Sequence, residues 1–154
     1  MNSGEVVEDF ELADEVGNLR HLSEFLQDGP AVLFCFPLAM SKGCTAESCY
    51  FRDLASEFAE FGATRIGLSA DSVARQAQFS ARHSFDFPLL SDPSGKVTAM
   101  LGVKRSIPFL SVRRWTFVID TDRSILEVIK SEVSMHHHAD RALAVLSARA
   151  ATRS

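Results

Sequence analysis

The chain has 154 residues, 46% of them hydrophobic and 23% charged, which fits one domain, 1–154, built around one core. Its net charge of −4 comes without a basic stripe, which argues against nucleic acid as a partner. The longest apolar run falls far short of the ~20 residues that a membrane helix needs. Met1 to Glu8 is polar and acidic and lacks the basic and apolar regions of a secretion signal, so a cytoplasmic location is expected. In that reducing setting three cysteines point to catalytic, sensing or buried thiols rather than structural disulfides.

Phe10 to Ala13 and Arg20 to Leu22 read as short strands around a turn at Gly17-Asn18. Ser23 is placed to cap a short helix through Gln27, which Gly29-Pro30 ends. Ala31 to Phe36 is continuously apolar, as in a central strand covered on both faces. Pro37 and Gly43 then break the chain, and a helix is expected from about Cys44 to Phe61. Its apolar face would be Phe51, Leu54, Ala55, Phe58 and Phe61, with Gly62 as a stop.

The alternation continues. Thr64 to Ser69 reads as a strand and Asp71-Ser72 as the start of a helix through about Ser84. Phe87 to Leu90 reads as an extended connection, and Asp92 to Gly95 as the start of a short helix ending near Gly102. A loop from Lys104 to Leu110 precedes strands at Trp115 to Ile119 and Ile125 to Ile129, joined by a turn at Thr121-Asp122. Ala139 to Ala150 reads as a final amphipathic helix with Leu143 and Leu146 inward. The fold class is α/β, a partly parallel central sheet with helices on both faces. A strand followed by a cysteine at a helix start is the thioredoxin-like way to present a thiol.

Cys44 and Cys49 carry the chemistry. A thiol at a helix start faces the positive end of the helix dipole, which stabilises the thiolate over the thiol. A nearby cation would add to this, and Lys42, Arg52, Arg113 and Arg114 are the candidates. Backbone N–H groups of the turn from Met40 to Cys44 and the Ser41 hydroxyl are available to stabilise a developing negative charge. Pro37 bends the loop, and a wall there would keep water from an oxidised sulfur. A sulfenic acid at Cys44 would condense with a neighbouring thiol. On an ideal helix, five residues separate the α-carbons by roughly 8.6 Å, whereas a disulfide wants at most about 7 Å. A Cys44–Cys49 bond therefore requires unwinding from Cys44 to about Arg52.

These residues resemble the peroxiredoxin family, and within it the Q-type branch related to bacterioferritin comigratory protein. Pro37, Ser41 and Cys44 match the family's Pro-x-x-x-Thr/Ser-x-x-Cys. Gly43-Cys44-Thr45 followed by Cys49, Arg52 and Asp53 matches the branch, as do Pro88 to Asp92, Leu101-Gly102-Val103 and Arg114 to Asp120. The resemblance implies that Cys44 is the peroxidatic cysteine, that Cys49 resolves it, and that Ser41 and Arg114 hold the peroxide and tune the thiolate. It also implies reduction of hydrogen peroxide and organic hydroperoxides, recycling by thioredoxin or a similar dithiol, no cofactor or metal, and a monomer. Ser41 departs from the more usual Thr, losing the β-methyl that restricts its rotamer.

Cys35, between Phe34 and Phe36, reads as a buried core residue. Strand alternation puts adjacent residues on opposite faces, so Arg113 and Arg114 cannot both face the site. Glu47 lies in the first helical turn, near enough to Cys44 to oppose a thiolate, and reads as structural or as part of an arginine network. His136-His137-His138 reads as a solvated helix start. A zinc site built on Cys44, Cys49 and histidine is the sharper alternative, although Cys-x4-Cys lies at the edge of zinc spacing. Two alternatives in function remain: a thioredoxin-like disulfide reductase, disfavoured by the same spacing, and a redox sensor or binding module switched by a Cys44–Cys49 disulfide.

Overall fold

A computed structural model describes residues 1–108 and 110–153. Seven strands form one mixed sheet: β1 (Glu11–Ala13), β2 (Leu19–His21), β3 (Ala31–Cys35), β4 (Thr64–Ser69), β5 (Leu89–Ser91), β6 (Trp115–Ile119) and β7 (Ile125–Lys130). The spatial order is β2-β1-β5-β4-β3-β6-β7. β4 pairs in parallel with β3 and with β5, while β6 runs antiparallel to β3. The helices are α1 (Leu22–Phe25), α2 (Lys42–Asp53), α3 (Ala55–Glu60), α4 (Val73–His83), α5 (Lys96–Leu101) and α6 (Met135–Arg153).

The continuous apolar run has the expected outcome: every residue of β3 is buried. Strand alternation sends its side chains to opposite faces. Ala31, Leu33 and Cys35 join a core cluster with Phe117 and Ile119. Val32, Phe34 and Phe36 join a second with Cys44, Phe51, Phe58 and Phe79. Phe34 stacks on Phe51 of α2 at a centroid distance of 4.3 Å, which fixes the helix over the sheet. Close packing sets Gly67 on β4. A β-carbon there would come within 2.6 Å of Leu89 and 3.2 Å of the Phe34 and Phe36 rings.

Four local expectations change. The helix expected from Cys44 to Phe61 starts two residues earlier and is broken at Leu54 (φ −98°, ψ 25°), giving α2 and α3. Phe87 to Leu90 is more than a connection, because its second half enters the sheet as β5, with Gly67 facing Leu89. Ser23 does not cap α1; its hydroxyl donates to Asp9 at 2.8 Å instead. The final helix begins at Met135 rather than Ala139 and so contains the three histidines. Of the loop between α5 and β6, Phe109 lies outside the described residues.

Candidate active site

The site lies where β3 ends and α2 begins. After Phe36 and the buried Pro37, the chain turns through Met40, a non-glycine residue at φ 68°. Asp71 receives the Ala39 amide at 2.7 Å, and Arg75 donates to the Ala39 carbonyl at 2.9 Å, so the turn is tied from both sides. Ser41 is the N-cap of α2, its hydroxyl oxygen accepting from the Cys44 amide at 3.4 Å. The same hydroxyl donates to the Leu38 carbonyl at 2.9 Å. Cys44 is thereby in the first turn, where the amides of Lys42 and Gly43 have no carbonyl within the helix to meet. The sulfur is fully buried.

Of the four candidate cations, Arg114 reaches the sulfur. Its Nη2 donates to Cys44 Sγ at 3.2 Å, and its Nη1 donates to Glu47 Oε1 at 3.0 Å. Arg113 points the other way, 6.0 Å above the Trp115 ring. Arg52 pairs with Asp53 and donates to the His83 carbonyl, and Lys42 is exposed. A β-carbon at Gly43 would press on Arg114 Nη2 at 3.3 Å, so glycine leaves room for the fork. Burial works against the Arg114 charge, and the Cys44 sulfur and Glu47 carboxyl more than offset it, raising its pKa.

Glu47 lies in the second turn of α2, because the helix starts at Lys42 and not at Cys44, and it belongs to the arginine network, the second of the two roles expected for it. It is fully buried, and burial pushes its carboxyl up to about 8 against the lowering pull of Arg114. Its Oε2 has no hydrogen-bond partner and lies 3.5 Å from His138 Nε2. His138 corrects the expectation of a solvated helix start. His136 and His137 are exposed, but His138 is fully buried between β6 and the end of β7. Its Nε2 lies 2.7 Å from the Ser131 carbonyl and its Nδ1 lies 2.7 Å from the Thr116 hydroxyl. A carbonyl only accepts, so Nε2 carries the proton and Nδ1 takes the one from Thr116. Burial lowers the His138 pKa to about 4. A triple histidine gives no signal of which ring turns inward, and helical phase supplies it only once the helix start is fixed at Met135.

Cys49 is on the same unbroken helix as Cys44, half-buried, and burial pushes its thiol up. All three cysteines are free. Cys35 is in the core cluster on the opposite face of the sheet from Cys44, and burial pushes its thiol up strongly. Among the described residues, no three His, Cys, Asp or Glu side chains gather as a metal site requires. Among the described residues, no helix is long and apolar enough to cross a membrane.

The two buried titrations have opposite signs. Folded Glu47 keeps its proton to about pH 8, whereas an ordinary glutamate loses it near 4.5. The folded chain then holds the extra proton, and stability falls as pH rises through that window. Folded His138 stays neutral down to about 4 against an ordinary 6.5, so its contribution is lost as pH falls from 6.5 toward 4. Above pH 6.5 the Glu47 slope is left alone of the two. Urea unfolding of the reduced protein is expected to lose on the order of 1–2 kcal/mol between pH 6.5 and 8. Glu47→Gln should flatten that slope; an equal slope in the variant would refute the protonated carboxyl.

A mixed sheet flanked by helices, with a cysteine in the first turn of the helix after its central strand, defines a thiol enzyme of the thioredoxin fold. Residues 3–128 match the AhpC/TSA family, and the chain belongs to that family, the peroxiredoxins. It is 56% identical to a putative peroxiredoxin of Mycobacterium tuberculosis, over 96% of this chain and 97% of the relative. It is 29% identical to peroxiredoxin Bcp of Escherichia coli, over 90% and 91%. Among solved structures, peroxidoxin BcpB of M. tuberculosis superposes with a TM-score of 0.93 at 56% identity, covering 96% of this chain and 97% of that one. Bacterioferritin comigratory protein of Xanthomonas campestris, described for its alkyl peroxide reduction activity, superposes with a TM-score of 0.83 at 29% identity, covering 92% of each chain.

Proposed function

We propose that this peroxidase reduces hydrogen peroxide and organic hydroperoxides through Cys44, with Cys49 as the resolving thiol and thioredoxin or a similar dithiol as reductant. The Cys44 thiolate attacks the terminal oxygen of ROOH. The O–O bond breaks, Cys44 becomes the sulfenic acid, and RO⁻ leaves and takes a proton from water. Arg114 and the first-turn amides of α2 face the developing charge. The Cys49 thiol then displaces hydroxide from the sulfenic sulfur, giving the Cys44–Cys49 disulfide and water. A dithiol returns both sulfurs to thiols by exchange. The single observation that carries this reading is the 3.2 Å contact of Arg114 Nη2 with Cys44 Sγ at the start of α2. Similarity to Bcp and to the X. campestris protein supports the substrate class.

Steady-state peroxide consumption with a thioredoxin system tests the cycle, and a dedicated redox sensor would turn over poorly there. Cys49→Ser separates the two thiols. That variant should consume one equivalent of peroxide at the wild-type rate and accumulate the sulfenic acid at Cys44, and with further peroxide the sulfinic acid, seen as mass gains of one and two oxygens. Multiple turnovers with thioredoxin at the wild-type rate would remove Cys49 from the cycle. We further propose that the chain works as a monomer in the cytoplasm, which sedimentation and fractionation check.

A further inference from the structure

Tyr50 follows Cys49 directly and is held by two residues of α6. Its ring stacks on His136 at a centroid distance of 3.9 Å and an interplanar angle of 14°. Its hydroxyl donates to Asp140 Oδ1 at 2.5 Å. His136 and Asp140 are four residues apart and so share one face of α6, which grips a single side chain of α2 twice.

The two helices are anchored differently. α6 is tied to the sheet by His138 on Thr116 and Ser131, by Arg149 on Asp120, and by the Arg141–Glu127 ion pair. In α2 the residue after Tyr50 is pinned: Phe51 is fully buried on Phe34, and its carbonyl accepts from Arg65 Nη1 at 2.8 Å. Bringing Cys49 to Cys44 requires the turns between Ser41 and Phe51 to open, because an ideal helix holds the two α-carbons roughly 8.6 Å apart. Pulling Phe51 out of the core would cost far more than releasing a surface contact. Unwinding therefore ends at Tyr50, two residues short of the Arg52 expected from sequence, and Tyr50 is the last side chain that must let go.

We propose that Tyr50, clamped by His136 and Asp140, is a positioning residue for the resolving step, a latch that sets how readily α2 unwinds and so how fast Cys49 meets an oxidised Cys44. It rests on the reading of Cys49 as the resolving thiol. A tight latch prolongs the life of the sulfenic acid and favours a second peroxide; a loose one favours the disulfide.

The test begins with a non-reducing digest of the wild-type protein after one equivalent of hydrogen peroxide. A missing Cys44–Cys49 bond at that stage overturns the role of Cys49, and the latch falls with it before any variant is made. With the bond present, Tyr50→Phe removes the Asp140 contact and keeps the stack, Asp140→Ala removes the acceptor, and His136→Ala removes the stack. Each should speed amide exchange across residues 45–50 of the reduced protein by about threefold or more, with α4 and α6 unchanged. Disulfide formation after a peroxide pulse should accelerate, and the ratio of sulfinic acid to disulfide should fall, by a similar factor. The Tyr50→Phe/Asp140→Ala double variant should go no further than either single one. Unaltered local exchange, or faster exchange with an unchanged ratio of sulfinic acid to disulfide, overturns the latch.

Discussion

Replacing Cys44 with serine is expected to reduce peroxide turnover by more than about a thousandfold, because a neutral hydroxyl lacks the nucleophilicity of a thiolate. The substitution is nearly isosteric, and the surroundings accept it. Arg114 Nη2, now 3.2 Å from the sulfur, has a hydroxyl oxygen to donate to. The Ser41 cap binds the backbone amide of residue 44 and does not involve its side chain. Stability should stay within about 1 kcal/mol of wild type, so lost activity would report chemistry and not unfolding. Stopped-flow peroxide consumption and urea unfolding of the same preparation check both halves. Turnover retained in Cys44→Ser would reject the nucleophile.

Arg114→Ala is expected to slow the peroxide step by about a hundredfold, the usual scale for one donor aimed at a developing negative charge. This variant should also lose about 2–3 kcal/mol of stability, because Arg114 is the hydrogen-bond partner of the fully buried Glu47. The two effects are separable by pH. Without the guanidinium, Glu47 would keep its proton to a higher pH than in the wild type, so the stability loss should be smaller at pH 6 than at pH 9. The rate loss should persist at both. Arg114→Lys should recover part of the stability and less of the rate, since a point charge cannot hold Sγ and Oε1 together as the planar fork does. An unchanged second-order rate constant in Arg114→Ala would remove the arginine from the peroxide step.

Much of this arrangement was legible in the sequence because its determinants are local. Pro37, Ser41 and Cys44 lie close together in the chain, so the turn and the helix start beside Cys44 could be read, whereas the capping role of Ser41 follows from α2 beginning at Lys42. Alternation carried back from the strand at Trp115 separated Arg113 from Arg114, although both lie just before β6. The unpatterned apolar run of β3 showed that the strand would be covered on both faces. What escaped was set by contacts between distant segments. Strand β5 is short and gains its identity from β4, which pairs Gly67 with Leu89. His138 is fixed by Thr116 and Ser131, one on β6 and one beyond β7, and its sequence neighbours His136 and His137 are exposed. The break at Leu54 falls in a run whose apolar spacing continues from Phe51 to Phe58 without announcing it, because packing of both halves on one core decides where the ladder parts.

That break has a consequence for what happens after oxidation. Helix melting spreads along a continuous hydrogen-bond ladder, each lost turn making the next easier to lose. A rod running from Ser41 to Phe61 would let a disturbance at Cys44 travel beneath Phe58 and the edge of β4. The turn at Leu54 acts as a firebreak. Under the proposed cycle α2 would open in each catalytic round, its buried Cys44 and Glu47 included, while α3, with Phe58 fully buried, stays seated.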